Sequence, residues 1–464
     1  MIYKTHGVGS YSSAHDRIQF SILSFIRDSV LFVWLVINFT TASLLFSSGE
    51  STDTLASSLE TSLFWQIAVL IFLSIGIFLQ IFGQTPVRRI IVIAAPLIPM
   101  MIWIILSVTW SDFPDFSIRR VVRFELEAIA VILFATAYAD QYKLLRVIYL
   151  SFAFILALDV AFLSIPDHSF TPIGYAGAHY HKNITGMFCL LALPVFLLAI
   201  LDRRIFPYRI LSFALALCCL GIFVISRSKT ALALAPVCMI LTIGLISIRR
   251  ASLVTGLVVT LIFALTCALT TAIIISVGVD EFLINTVGDP TFTGRDRIWQ
   301  YALSVFWESP IAGRGFGSLW NVGIFSILQQ NILGVEFVIK EGHNGYIDIV
   351  TELGIVGLLL TIMFIIIILY RLWVRIPFAS VNRINFIAVY MFFAIVLINV
   401  LESTIFRSGN EFWLYFLLVT LASTFIATAS RTEMSFRLLP ASKTATISRR
   451  IASRHQSFRA RTQR

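Results

Sequence analysis

The chain has 464 residues, of which 58% are hydrophobic and only 13% are charged, whereas an ordinary soluble domain has about 25% charged residues. Most of the apolar residues fall in blocks close to the roughly 20 residues that cross a bilayer. The net charge of +10 is concentrated between these blocks and after Arg431, which is typical of topology signals and contacts with membrane lipids. We therefore expect a membrane protein and no nucleic-acid partner.

Twelve transmembrane helices are predicted, in an all-α polytopic fold. They cover about residues 28–47, 61–82, 90–109, 121–139, 144–165, 184–201, 210–226, 230–248, 252–278, 353–370, 384–402 and 412–428. Arginine and lysine mark one set of connections as cytoplasmic, because positive charge stays on that side: Arg88, Arg89, Lys143, Arg146, Arg203, Arg204, Arg209, Arg249, Arg250, Arg371, Arg375 and Arg383. Both termini are then expected in the cytoplasm.

This assignment divides the chain into five parts. Residues 1–27 form a cytoplasmic N-terminal segment, 28–278 the first nine transmembrane helices, 279–352 a large periplasmic loop, 353–428 the last three helices, and 429–464 a basic cytoplasmic tail. The loop is too short for an independent catalytic domain of ordinary size. We expect it to cap a cavity formed by the helices, with an amphipathic helix over Asp296–Trp307.

Several cations break the positive-inside rule, because they fall on or near the predicted outer face. These residues are Arg119, Arg120, Arg123, Lys182, Arg227, Lys229, Arg295, Arg297, Arg314, Lys340 and Arg407. As a group they favour an anionic ligand. The structural alternative is that some of them pair with Glu125, Asp296, Glu341 or Glu402.

Four outer segments are candidates for chemistry: His179–Gly186, Ser226–Ala231, Thr291–Trp299 and His343–Gly357. The segment Ser226–Ala231 places Arg227 and Lys229 beside the start of a helix, where they could bind a phosphate. The alternative is that these two cations only anchor the helices at the bilayer interface. The glycines in the last segment would let its helix pack closely against a neighbour. A further turn, Gly313–Gly317, is expected to place Arg314, since it follows no strand and opens no dinucleotide-binding unit.

Together these motifs resemble the O-antigen ligase superfamily, which includes O-antigen ligases and Wzy-type polysaccharide polymerases. His343-Asn344, nine residues and then Gly354-Ile355-Val356-Gly357 resemble its His-Asn signature. Further motifs are similar to exopolysaccharide polymerases of the ExoQ type: Trp110-Ser111 with Pro114, His181-Lys182-Asn183 with Gly186, Ser226–Ala231, Thr293-Gly294-Arg295 with Ile298-Trp299, and Pro310 with Gly313–Gly317. The arginine-x10-glycine loops of some Wzy polymerases are not matched, because Phe306, Glu308 and Phe325 stand where those glycines would be.

The resemblance implies a class C glycosyltransferase fold in the bacterial inner membrane. No outer Asp, Glu or His residues have ligand-like spacing, so we expect a metal-independent mechanism and no cofactor. The donor that the resemblance implies is an oligosaccharide on undecaprenyl diphosphate. Arg227, Arg295 and His343 match the family's functional positions and are the predicted catalytic residues. The predicted substrate-binding residues are Lys229, Arg314, Asn344, Lys182, Asn183 and His181. His343 either takes the proton of the acceptor hydroxyl or only binds the diphosphate.

The favoured function is polymerisation of lipid-linked repeat units at the periplasmic face. An O-antigen ligase that transfers lipid-linked glycan to the lipid A core would use the same donor chemistry. The alternative from a different functional class is a flippase or transporter for lipid-linked glycans. The sequence contains no internal repeat of the kind that many transporters have. The basic tail is expected either to bind lipid or to contact a polysaccharide chain-length regulator.

Overall fold

The described part of the chain folds as an assembly of helices with one short hairpin. The computed structural model describes residues 14–44, 63–83, 85–179, 181–250, 295–322, 329, 339–375 and 383–437. The helices are α1 (Ala14–Leu44), α2 (Leu63–Gly83), α3 (Val87–Ala94), α4 (Ile98–Ser107), α5 (Pro114–Thr136), α6 (Gln141–Phe162), α7 (Pro166–Ser169), α8 (Lys182–Leu201), α9 (Arg209–Ser226), α10 (Lys229–Arg250), α11 (Arg295–Glu308), α12 (Gly345–Arg375), α13 (Arg383–Ile398) and α14 (Glu411–Arg437). A 3-10 turn, Val108–Trp110, follows α4, and strands β1 (Phe170–Thr171) and β2 (Gly174–Tyr175) pair antiparallel.

Helices occupy eleven of the twelve predicted spans, and the ninth, 252–278, lies outside the described residues. Within the part of the chain that the structure describes, seven helices are long and apolar enough to cross a membrane, or eight if α3 and α4 count as one span. Helix α5 falls short of that standard because its sequence includes six charged residues. The chain is thus a multi-pass membrane protein, as predicted, while the number twelve stays a prediction.

Two predicted spans differ from the helices that form them. Helix α1 begins at Ala14 rather than near residue 28, because its first turns are helical but too polar to be read as part of a span. The third predicted span consists of α3 and α4, whose axes are bent by 74°. Pro96 lies at the bend, where its ring and its missing N–H disfavour a continuous helix.

Cations predicted to face the cytoplasm gather at one end of the helices. There Asp202, just after α8, accepts hydrogen bonds from Arg204 at 2.8 Å and from Arg383 at 3.1 Å. Arg371 of α12 donates to the carbonyl of Ile93 at 2.8 Å.

At the other end, which we call the site end, Asn183 at the start of α8 contacts Glu402 in the connection between α13 and α14, and Gly345 at the start of α12 contacts Asn399 just after α13. The end of α9 and the start of α10 also lie there, because Arg227 and Lys229 act electrostatically on Lys182.

Helix α12 is broken near the site end. Gly354 has φ +70°, outside the helical region, and the N–H of the next residue, Ile355, donates to the carbonyl of Pro310 at 2.9 Å. A Cβ at Gly354 would overlap with the backbone of Ile311. The close approach predicted for this glycine is therefore made to the turn before Gly313, and not to a neighbouring transmembrane helix.

The glycine turn itself packs backbone to backbone on α12. Gly313 has φ +70°, and a Cβ there would overlap with the main chain of Glu352. The N–H of Gly317 donates to the Glu352 carboxylate at 2.8 Å. The turn is therefore a fixed part of the site end.

We expect Gly313→Ala to destabilise the folded protein, because a left-handed backbone costs a non-glycine residue roughly 1–2 kcal/mol before any overlap with Glu352 is relieved. Gly221→Ala is the matched control, since a Cβ at this glycine meets nothing within 4 Å. Thermal unfolding in detergent should show a lower midpoint for the first variant only. Equal midpoints for both would contradict the close packing of the turn.

Aromatic side chains anchor the connection between α13 and α14. Phe406, in that connection, lies 4.7 Å from Trp413 and 5.4 Å from Phe364 of α12 between ring centroids. All three rings are almost fully buried. The polar residues of the same connection are consequently held on a rigid base.

Candidate active site

Glu402 is the centre of a polar cluster at the site end. It lies in the connection between α13 and α14 and is 7% exposed. Its Oε1 accepts hydrogen bonds from Arg295 Nη2 and from Asn183 Nδ2, both at 2.9 Å, and its Oε2 lies 3.1 Å from Nδ1 of His343. Residues from three of the predicted outer segments thus meet on one carboxylate.

The charges of this cluster compensate one another. Burial alone would raise the pKa of Glu402, but the hydrogen bond from His343 and the positive charge of Arg295 outweigh burial and lower it. Burial alone would lower the pKa of His343, but the bond to Glu402 and the charge of Glu341 raise it. The site therefore stabilises an ionised Glu402 beside a His343 of increased basicity.

His181, the first residue of the His181-Lys182-Asn183 motif, lies at the start of α8. His181 is the N-cap of the helix, and its Nδ1 accepts from the N–H of Asn183 at 3.2 Å. Burial lowers the pKa of His181, and so do the nearby charges of Lys182 and His343. A neutral imidazole can accept the Asn183 hydrogen bond, so His181 orients the residue that contacts Glu402.

A second group, the three-cation cluster, consists of Lys182, Arg227 and Lys229. Lys182 lies within electrostatic range of the other two, and its side chain passes over Gly174, which packs against the backbone of Ser226. Arg227 and Lys229 are exposed. Like charges within electrostatic range repel, so an anion bound among these cations would be stabilised by them.

The two groups adjoin through consecutive residues. Lys182 belongs to the three-cation cluster, and Asn183 contacts Glu402. A ligand with one anionic end could place that end among the cations and the atoms beside it next to His343.

Two predicted substrate-binding residues have partners other than Glu402. Arg314 pairs with Asp112 at 3.0 Å and with Glu308, and so ties the glycine turn to α11 and to the segment before α5. Asn344 caps α12, because its Oδ1 accepts from the N–H groups of Tyr346 at 3.1 Å and Ile347 at 3.2 Å. Neither contact joins these residues to Glu402, and their assignment to substrate stays a prediction.

Two of the three predicted catalytic residues have a left-handed backbone. Among the described residues only four other than glycine have positive φ, and they include Arg227 at 54° and His343 at 50°. Such conformations cost free energy and cluster at functional sites. The fold therefore holds both side chains in positions that a relaxed backbone would not give them.

Pairing with carboxylates accounts for several of the outer cations, although Glu402 is the one partner in the following pairs that the structural alternative named. Arg295 pairs with Glu402, Arg123 with Glu127 at 2.9 Å, and Arg407 with Glu352 at 3.3 Å. Glu402 had been named only as such a partner. Glu402 is 59 positions from His343, and no sequence motif relates the two residues. The signal that could have identified Glu402 is that both residues lie at predicted outer ends of transmembrane spans.

Spacing along the sequence indicates no metal-ligand group at the outer face, but the fold brings three candidate ligands together. Glu341, His343 and Glu402 each offer one ligand atom, and these atoms lie within 4.8 Å of one another. Burial also raises the pKa of Glu341 to about 6. The group cannot be recognised along the sequence, because Glu402 comes from a different connection than Glu341 and His343.

The fold and this site define a multi-pass membrane protein with a charged site at one end of its helices. Residues 213–362 match the family model described as O-antigen ligase. The chain is also similar to the exopolysaccharide production protein ExoQ of Rhizobium meliloti (strain 1021), with 36% identity over 100 residues. That alignment covers 20% of this chain and 22% of the relative's length. The resemblance to the O-antigen ligase superfamily, predicted from the motifs, is thereby confirmed.

Proposed function

We propose that this chain is a glycosyltransferase that joins undecaprenyl-diphosphate-linked oligosaccharide repeat units into an exopolysaccharide or O-antigen-type polymer. The observation that carries the proposal is the convergence of His343, Arg295 and Asn183 on Glu402, next to the three-cation cluster. The matched family is described as O-antigen ligase and the similar protein as an exopolysaccharide production protein. Both descriptions agree with chemistry on lipid-linked glycans.

The diphosphate of the donor would bind among Lys182, Arg227 and Lys229. When the bond from the anomeric carbon to the diphosphate breaks, its electron pair stays on the departing oxygen, and negative charge increases there. Fixed cations stabilise that charge more in the transition state than in the ground state. Arg227 suits this role because guanidinium stays charged and can bind two phosphate oxygens at once.

The acceptor hydroxyl would attack the anomeric carbon from the opposite face, which inverts that centre. Its proton would pass to His343, whose side chain is 33% exposed and therefore accessible to substrate. Arg295 is paired with Glu402 and contributes its positive charge to the same site. The products are a glycan longer by one repeat unit and a free lipid diphosphate.

We place the site end at the periplasmic face of the inner membrane and both termini in the cytoplasm. The cations that the positive-inside rule assigns to the cytoplasm gather at the opposite end, around Asp202, which supports this orientation. The proposed partners are the lipid-linked oligosaccharide, membrane lipids and a polysaccharide chain-length regulator.

Glycans from a deletion strain test the proposed polymerisation. Loss of a polymerase should leave single repeat units on the lipid carrier, and the gene supplied in trans should restore long chains. Accumulation of lipid-linked polymer would instead identify a ligase. Accumulation of repeat units on the cytoplasmic leaflet alone would identify a transporter.

We expect the reaction to be independent of metal ions. Glu402 already accepts hydrogen bonds from Arg295, Asn183 and His343, so an ion at this carboxylate would compete with three donors. Polymer formation by purified protein should continue at an undiminished rate with excess EDTA. A rate abolished by EDTA and restored by a divalent ion would assign Glu341, His343 and Glu402 to a metal instead.

A further inference from the structure

The two oxygens of Glu402 have different partners. Oε1 accepts from Arg295 and Asn183, whereas Oε2 lies 3.1 Å from Nδ1 of His343. The proposed reaction has so far given this carboxylate no chemical task. Its burial, at 7% exposure, means that each of its contacts is made away from bulk water.

The hydrogen-bonding capacity of Glu402 determines which ring nitrogen of His343 carries the hydrogen. An ionised carboxylate can only accept hydrogen bonds, and the charges around Glu402 favour its ionised form. Nδ1 of His343 must then carry the hydrogen of their shared bond. In a neutral imidazole the other nitrogen, Nε2, is left with a lone pair.

We propose that Glu402 is a positioning residue that holds His343 with its hydrogen on Nδ1, so that Nε2 takes the proton of the acceptor hydroxyl. This assignment rests on the proposed function. Glu402 does not contact the reacting atoms in this scheme and acts through His343. The same carboxylate orders Asn183 and Arg295, so one residue sets the geometry of three.

An amide in place of the Glu402 carboxylate is expected to reverse the direction of the hydrogen bond with His343. In a Glu402→Gln protein the single carbonyl oxygen is expected to stay with Arg295 and Asn183, because these are two donors and one of them is charged. The amide N–H would then face Nδ1 of His343 and make it an acceptor. The hydrogen moves to Nε2, and the ring can no longer accept a proton there.

The pH dependence of the rate gives a second readout. The charged or titratable groups that act on His343 include Glu402, Glu341, Arg295 and His181. Glu402 and Glu341 raise the pKa of His343, whereas burial and Arg295 lower it. A base must be neutral, so the rate rises with pH through this pKa. Removing the charge of Glu402 lowers the pKa and moves that rise to lower pH.

The experiment compares kcat, KM and the pH–rate profile of wild type, Glu402→Gln and Glu127→Gln. Glu127 is the matched control, because it is a buried carboxylate at the site end that pairs with Arg123 and accepts from the N–H of Gly409 at 2.8 Å. We expect Glu402→Gln to lower kcat about 100-fold, the scale of general base catalysis, with little change in KM. Its residual activity should rise at lower pH than that of wild type, while the Glu127→Gln profile should match wild type.

A purely structural role gives a different result. Both glutamine variants would then lower thermal stability alike, and folded Glu402→Gln would keep the wild-type kcat and pH profile, which overturns the proposal. If glutamine prevents folding, Glu402→Asp decides, since it keeps the charge but shortens the reach to His343. A lower kcat at unchanged KM supports the assignment, and a wild-type kcat overturns it.

Nitrogen NMR of isotope-labelled histidine tests the tautomer without any activity. The His343 signal, assigned by its loss in a His343→Gly protein, should report hydrogen on Nδ1 in wild type and on Nε2 in Glu402→Gln. Hydrogen on Nε2 in wild type overturns the proposal. An inactive wild type with hydrogen on Nδ1 would count against the proposed function alone.

Discussion

Replacing His343 with glycine is expected to reduce polymer formation by about 100-fold or more, as removal of a general base does. Glycine is the informative substitution, because the backbone of His343 has φ 50° and glycine adopts that conformation without strain. Added imidazole should restore part of the rate to this variant. The restored rate should increase with pH, because only neutral imidazole accepts a proton.

A matched control exists for the backbone change. Asn321 also has positive φ, at 54°, and its side chain has no role in the proposed reaction, so Asn321→Gly should form polymer at the wild-type rate. If His343 only binds diphosphate, the glycine variant will show a higher KM that neutral imidazole does not correct. Normal polymer from a folded His343→Gly protein would remove His343 from the mechanism.

Replacing Arg227 with alanine should lower kcat/KM about 10- to 100-fold. The range follows from the roughly 1.5–3 kcal/mol of a hydrogen bond to a charged group, at about 1.4 kcal/mol for each factor of ten. The loss should be larger for Arg227→Ala/Lys229→Ala than for either single variant. Kinetics on a lipid-diphosphate oligosaccharide measure both effects.

Arg209→Ala is the control for Arg227→Ala, because Arg209 is the first residue of α9 and Arg227 directly follows its last. The two arginines are exposed at opposite ends of one helix. A change in membrane insertion would affect both variants, whereas loss of diphosphate binding affects only Arg227→Ala. Equal activities of the two proteins would exclude the three-cation cluster as the diphosphate site.

Much of the fold was predictable because apolar blocks determine where helices lie in a membrane. The predicted helix of the outer loop, Asp296–Trp307, is confirmed within α11. Boundaries were predicted less well where helices are polar, as at Ala14, or bent, as at Pro96. Apolarity marks the part of a helix that lies in lipid and does not report where the helix itself begins.

The candidate site was predictable as a set of segments but not as a set of contacts. Motifs identified His343, Arg295 and Asn183, and the fold brings them to the same carboxylate. Glu402 was missed as a site residue because a buried acid at the end of a helix gives no pattern along the chain. The sequence also did not show that Arg314 pairs with Asp112 and Glu308 instead of with Glu402. A cation near an outer segment does not reveal which carboxylates the fold places beside it.

Incubation of the purified protein with an undecaprenyl-diphosphate-linked oligosaccharide in detergent tests the central claim most directly. Without a sealed membrane no transport can be scored, so any product reports chemistry alone. We expect glycans that increase in length by whole repeat units, with one free undecaprenyl diphosphate released for each bond formed. Unchanged substrate with wild-type protein, under conditions where the protein is folded and binds the donor, would contradict the proposal.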